Sequence, residues 1–115
     1  MVVDELSDAE VDRIFHALAD ATRRDIVRRV LDTERSVSEL ARAYPISLTA
    51  VQKHVGVLHA AGLVTKRREG REQRVVGRLD AVRRAQALLA AYEQVWRDRA
   101  AGMAAVLDDQ EGAGR

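Results

Sequence analysis

The sequence predicts a mainly α-helical fold of five helices with a two-stranded β-hairpin, and three observations predict it. Four early segments repeat apolar residues at helical spacing, and each is opened by a Ser or Asp suited to cap a helix. A stretch of β-branched and charged residues around Glu69-Gly70-Arg71-Glu72 then has the pattern of a hairpin turning on a glycine. Beyond it, a long proline-free segment carries its apolar residues on one stripe. A chain of 115 residues with 47% hydrophobic content allows one domain with one core.

Ser7 and Glu10 stand in capping-box spacing ahead of Val11, Ile14, Phe15 and Leu18, so a first helix is expected over about residues 8–19. Asp20 caps a second, residues 21–31, whose stripe is Ile26, Val27, Val30 and Leu31 with its arginines mostly outward. Ser36 and Glu39 repeat the box at the head of a short third helix that must stop near Pro45, the only proline. Ser47 is placed to cap a fourth helix, which ends by about Ala61 because Gly62 tolerates positive φ. On that helix Leu48, Val51, Val55 and Leu58 form an apolar stripe, while Thr49, Ala50 and Lys53 lie opposite with Gln52 and His54 flanking.

Strands are expected over roughly residues 64–68 and 74–79, with arginines at the tip and sides of the hairpin. Asp80 then caps a final helix over residues 81–107, with Val82, Ala85, Leu88, Leu89, Tyr92, Val95 and Trp96 as its apolar face. Residues 1–107 thus make one domain. Residues 108–115, DDQEGAGR, have no apolar anchor and are expected to be disordered.

A net charge of +1 hides an uneven distribution: residues 47–78 hold seven basic residues against two acidic, while the remainder holds 12 basic against 16 acidic. A basic segment in an acidic body directs a polyanion to one surface. The absence of cysteine excludes a disulfide scaffold, thiolate metal sites and cysteine redox chemistry. No run of 18 apolar residues exists, and the acidic start MVVDELSDAE is unlike a signal peptide, so a cytoplasmic protein without a membrane partner is expected.

Two helices joined by so short a turn, the second with a polar outward face, form a helix-turn-helix, and the hairpin makes it a winged one. A helix fits the major groove of DNA, where Gln52 suits adenine and Lys53 guanine, while Ser47 and Thr49 suit base edges or phosphates. Ala50 shares that face, and His54 at its flank is either a phosphate contact or a packed or solvated imidazole. Arg67, Arg68, Arg71 and Arg74 surround the hairpin turn, in reach of the minor groove or the backbone, and the sequence leaves both open. Ser36 and Ser38 offer either phosphate contacts or simple helix capping.

From about residue 6 to residue 99 the chain resembles the ArsR/SmtB family of small winged-helix bacterial repressors. The segments that carry the likeness are FHALADATRRDIVRRVL, SVSELA, PISLTAVQKHVGVLHAAGLVTKRREGREQRV and YEQVWRDR, in the family's order and spacing. The resemblance implies a homodimer through the first and last helices, with paired recognition helices and wings presented to operator DNA. Phe15, Leu88, Leu89, Tyr92, Val95 and Trp96 are the candidate dimer residues.

Many members of the family sense metals, and here the chain departs. The third-helix cysteines of one metal-sensing class are replaced by Val37, Ser38, Glu39 and Leu40, and the final helix has no histidine. His54 and His59 are five apart and do not share a helix face, so no metal site is expected; a carboxylate pair such as Asp98 with Asp108 has no support. The likeness is to the metal-independent branch, and no cofactor is implied. No nucleophile elbow or H-E-x-x-H signature is present, so an enzyme is not expected. The expected function is a sequence-specific repressor that binds a partly palindromic operator on double-stranded DNA. The alternative is a winged-helix protein-interaction module without DNA binding.

Overall fold

The computed structural model describes residues 7–113. Its elements are α1 (Asp8–Leu18), α2 (Ala21–Asp32), β1 (Arg35–Ser36), α3 (Val37–Arg42), α4 (Leu48–Ala60), β2 (Val64–Glu69), β3 (Glu72–Gly77) and α5 (Leu79–Ala113). The first six residues of the acidic N-terminal stretch and the last two of the expected disordered tail lie outside the described residues.

Local chemistry sets most helix ends. Both capping boxes form: Ser7 Oγ accepts the Glu10 N–H at 3.2 Å, Ser36 Oγ accepts the Glu39 N–H at 3.1 Å, and each glutamate accepts its cap's own N–H. Asp20 and Ser47 cap α2 and α4 by accepting the Arg23 N–H at 2.9 Å and the Ala50 N–H at 3.1 Å. At the end of α4, Gly62 (φ 76°) donates to His59 O and Leu63 donates to Leu58 O, both at 3.0 Å. That pair of bonds is a Schellman motif, accompanied by burial of Leu58 and Leu63.

The sheet corrects the expected hairpin in two ways. Glu69 pairs with Glu72, Arg67 with Arg74 and Val64 with Gly77, so Gly70 and Arg71 alone make the turn and β3 starts two residues earlier than expected. Gly70 has φ 62° and, among the described residues, no non-glycine residue has positive φ, the signs of a type II′ turn, whose twist matches the strands it joins. Arg35 and Ser36 also pair with Val75 and Arg74, so β3 is the centre of a three-stranded antiparallel sheet of order β1-β3-β2. A strand of two residues shows no alternation for a sequence pattern to reveal.

α5 departs at both ends. It begins at Leu79, which puts Asp80 inside the first turn, where its charge favours the helix dipole, rather than at the cap. It runs on to Ala113 through residues expected to be disordered, because Asp, Gln, Glu and Ala all continue a helix and no proline stops it.

The chain divides into two units, Met1–Ala85 and Gln86–Arg115. In the first, Ile14 and Ala17 of α1, Ile26, Val27 and Val30 of α2, and Val51, Val55 and Leu58 of α4 pack with Val64 and Val75 of the sheet into one core. Phe15 and Leu18 pack at its margin. Of the expected core stripes, Leu31 is 40% exposed and Leu48 47% exposed, and Val11 is half-buried outside the core. Leu31 lies in the last turn of α2, where its backbone stands close against Gly77 of β3, and Leu48 lies in the first turn of α4, ahead of the residues of that helix that reach the core. The second unit holds the remainder of α5, on which Leu89, Tyr92, Val95 and Trp96 are exposed. Among the described residues no helix is long and apolar enough to cross a membrane.

Candidate nucleic-acid interface

α3 and α4 are joined by residues 43–47, and the turn between them is anchored to α2. Tyr44 Oη donates to Asp25 Oδ2 at 2.5 Å, and Arg29 Nε and Arg28 Nη2 donate to the same carboxylate at 2.7 and 2.8 Å. The Arg29 guanidinium also lies 5.6 Å from the centre of the Tyr44 ring. These donors, Arg29 first, hold the Asp25 carboxyl far below the usual carboxylate range. Burial, then the Asp25 hydrogen bond, pushes the Tyr44 phenol up to about 12. The turn that aims α4 is thus tied to α2 by one charge-assisted hydrogen bond and by the Arg29 guanidinium over the Tyr44 ring.

On α4, Ser47, Thr49, Gln52 and Lys53 are exposed and Ala50 is half-buried. His54 is held elsewhere. Its imidazole is turned to the start of α2, with Nδ1 3.3 Å from Arg23 Nη1 and 4.0 Å from Asp20 Oδ2. Arg23 in turn donates to Ala17 O at 2.8 Å and His16 O at 3.1 Å, so one guanidinium joins the end of α1 to the recognition helix. The His54 side chain is 22% exposed in this arrangement.

The wing arginines divide into two kinds. Arg67 and Arg74 are directly paired across the hairpin, so they project to one face of the sheet, while Arg68 shares the opposite side with Val75. Arg74 is only 19% exposed, with Nη1 3.0 Å from Glu39 Oε1 and 3.5 Å from Glu72 Oε2. Arg67 Nη2 lies 2.8 Å from Glu34 Oε1 and 3.2 Å from Glu69 Oε2. The Arg67 hydrogen bond lowers the Glu34 carboxyl below its ordinary range; the Ser36 N–H, and then Arg74, do the same for Glu39. Burial works against the Arg74 charge, but Glu39 and Glu34 outweigh it and raise its pKa. Arg68 and Arg71 are exposed and, among the described residues, take no part in these ion pairs.

The structure therefore brings Ser47, Thr49, Gln52 and Lys53 onto one exposed face and leaves Arg68 and Arg71 free on the wing. It turns Arg74, and in part Arg67, into fasteners of the wing. Sequence reading missed Glu34, Glu39, Arg23 and Tyr44 as the groups that position this surface. The Asp25-Arg28-Arg29 spacing was visible as helical i, i+3 and i, i+4 pairs. Glu39 lies 35 residues from Arg74, and no local pattern announces that contact. Among the described residues no group of three or more His, Cys, Asp or Glu is placed to hold a metal ion.

A family model described as a helix-turn-helix domain matches residues 18–67. The HTH-type transcriptional regulator Rv2034 of Mycobacterium tuberculosis is 40% identical over 99 residues, covering 86% of this chain and 90% of that protein. Among solved structures, an ArsR-like transcriptional regulator from Rhodococcus sp. RHA1 superposes with a TM-score of 0.78 at 31% identity, covering 88% of this chain and 93% of that one. The homodimeric winged helix-turn-helix DNA-binding domain of a possible ArsR-family regulator from Mycobacterium bovis gives a TM-score of 0.62 at 31% identity, over 81% of this chain and 92% of that one. The order of elements, the winged helix-turn-helix and these relatives agree: the chain belongs to the ArsR/SmtB family of DNA-binding transcriptional regulators.

Proposed function

We propose that this regulator is a cytoplasmic repressor that occludes a promoter by binding a partly palindromic operator as a homodimer. The observation that carries the reading is the exposed polar face of α4, with Thr49, Gln52 and Lys53, beside a wing whose Arg68 and Arg71 take no carboxylate partner among the described residues. Gln52 and Lys53 read base edges in the major groove, and Ser47 and Thr49 contact base edges or phosphates. Ala50 lets the helix approach closely. Arg68 and Arg71 neutralise phosphates or enter the adjacent minor groove. Arg67 and Arg74 hold the wing in place, and His54 positions α4 from behind.

The dimer is proposed through α1 and α5, with Phe15, Leu88, Leu89, Tyr92, Val95 and Trp96 at its contact, in line with the homodimeric Mycobacterium bovis relative. The third helix and the last lack the ligands of the family's metal sensors, which supports a metal-independent regulator.

Selection of bound fragments from a random duplex pool tests the reading. Two recognition helices in successive major grooves predict two half-sites about 10 to 10.5 base pairs apart, both protected in a footprint at saturation. Protection of one half-site alone would overturn the dimeric reading, and failure to retain any duplex would leave the protein-interaction module.

A further inference from the structure

Leu48 is the side chain that the functional reading has not used. Its place on the apolar stripe of α4 predicts burial, yet it is 47% exposed, in contrast to Val51, Val55 and Leu58, which are buried completely or nearly so. Leu48, Thr49, Gln52 and Lys53 occupy i, i+1, i+4 and i+5, and all four are exposed. The leucine points along the Val51–Val55–Leu58 stripe, at the edge next to Gln52, which lies one turn on and about 40° round the helix; in the first turn the core leaves it uncovered. It also lies in the first turn after the Ser47 cap, and the N-terminal residues of a recognition helix are the ones that meet base edges.

An aliphatic side chain has no donor or acceptor with which to read the hydrogen-bonding pattern of a base pair. The one apolar feature a base edge offers in the major groove is the C5-methyl group of thymine. Resting on the DNA-binding reading of α4, we infer that Leu48 is a specificity-determining residue that packs on a thymine methyl in each half-site. The exposed leucine leaves water only when that methyl is present. Cytosine, which lacks the methyl, offers it nothing to cover.

Geometry places the thymine. One helical turn advances about 5.4 Å, while successive base pairs are about 3.4 Å apart. The methyl that Leu48 covers therefore lies one or two base steps from the adenine that Gln52 reads.

The test uses the full chain and the duplex recovered by selection, with each thymine of a half-site replaced singly by deoxyuridine. This substitution removes the methyl and preserves the pairing. The expected result is one thymine per half-site whose replacement weakens wild-type binding about fourfold, the effect of burying one methyl-sized group. Leu48→Ala should bind the unmodified duplex more weakly and show no such dependence, whereas Ile46→Ala, at the neighbouring exposed apolar residue, should retain it. Helicity by circular dichroism and oligomeric state by sedimentation accompany each variant.

A uniform response to deoxyuridine, or a methyl dependence that persists in Leu48→Ala, overturns the inference while leaving DNA binding intact. Loss of the dependence in Ile46→Ala assigns the contact to Ile46 and likewise overturns it. A change of oligomeric state in Leu48→Ala with unaltered methyl dependence makes Leu48 a protein contact and overturns it too. If selection retains no duplex, the underlying reading fails first.

Discussion

Asp25 gathers three donors onto one carboxylate, and its neighbour Tyr44 sits on the turn that aims the recognition helix. The two groups respond to pH in opposite directions. The folded pKa of Asp25 lies below its ordinary 3.8, so its contribution to stability is complete above about pH 4 and is lost as pH falls through the folded value. The folded pKa of Tyr44 is raised from 10.0 to about 12, so its contribution is complete below pH 10 and is lost as pH rises toward 12. Tyr44→Phe removes one hydrogen bond to a charged, part-exposed acceptor and should cost about 1 kcal/mol in urea denaturation near neutral pH. In a Tyr92→Phe background, phenolate absorbance should rise only near pH 12. A phenol that titrates at 10 would show that Tyr44 is not held by Asp25.

Among the elements, the approach of β3 to the end of α2 leaves no room for a side chain. A Cβ built on Gly77 would lie 2.8 Å from Leu31 N and 2.9 Å from Leu31 Cα, and backbone atoms cannot move aside as a flexible side chain does. Gly77→Ala should therefore destabilise by about 1 to 3 kcal/mol, by pushing the central strand of the sheet away from α2. Gly56, inside α4, has nothing within 4 Å of a built Cβ. Gly56→Ala should stabilise by up to about 1 kcal/mol, through helix propensity and a less flexible unfolded chain. Thermal melts of the pair read opposite signs, and equal shifts in one direction would refute the packing account of Gly77.

For the whole molecule, the question is what covers the second unit. Leu89, Tyr92, Val95 and Trp96 stand at i, i+3, i+6 and i+7 of α5, and Trp96 is 64% exposed. A stripe of that size on a single chain supports the proposed dimer contact. Trp96→Ala should shift the monomer–dimer balance toward monomer before it affects the packed unit that ends at Ala85. Removing an aromatic that the proposed dimer contact buries should cost that contact about 3 to 5 kcal/mol. Operator affinity should fall steeply with it, because two half-sites then bind separately. Sedimentation alongside wild type decides the matter: a variant that stays dimeric at nanomolar concentration would show that this stripe is not the principal contact.

The sequence by itself determined whatever depends on neighbours within a helical turn or a hairpin. Both capping boxes, the Asp20 and Ser47 caps, the Gly62 stop and the glycine turn at residue 70 were legible because their partners lie within five residues. The exposed face of Thr49, Gln52 and Lys53 was legible for the same reason, since helical periodicity alone puts Thr49 and Lys53 opposite Val51, Val55 and Leu58, with Gln52 at the flank. Tertiary structure alone decided which charges were spoken for and where each apolar stripe ended. Glu34 and Glu39 reach Arg67 and Arg74 only because β1 docks beside β3, and His54 meets Arg23, 31 residues away, only because α4 packs on the start of α2. Periodicity assigned Leu48 to the core, but it describes the direction of a side chain and carries no information on where the neighbouring layer stops. That limit is set by the packing of α4 against the rest of the core, and it leaves Leu48 in solvent at the head of the recognition helix.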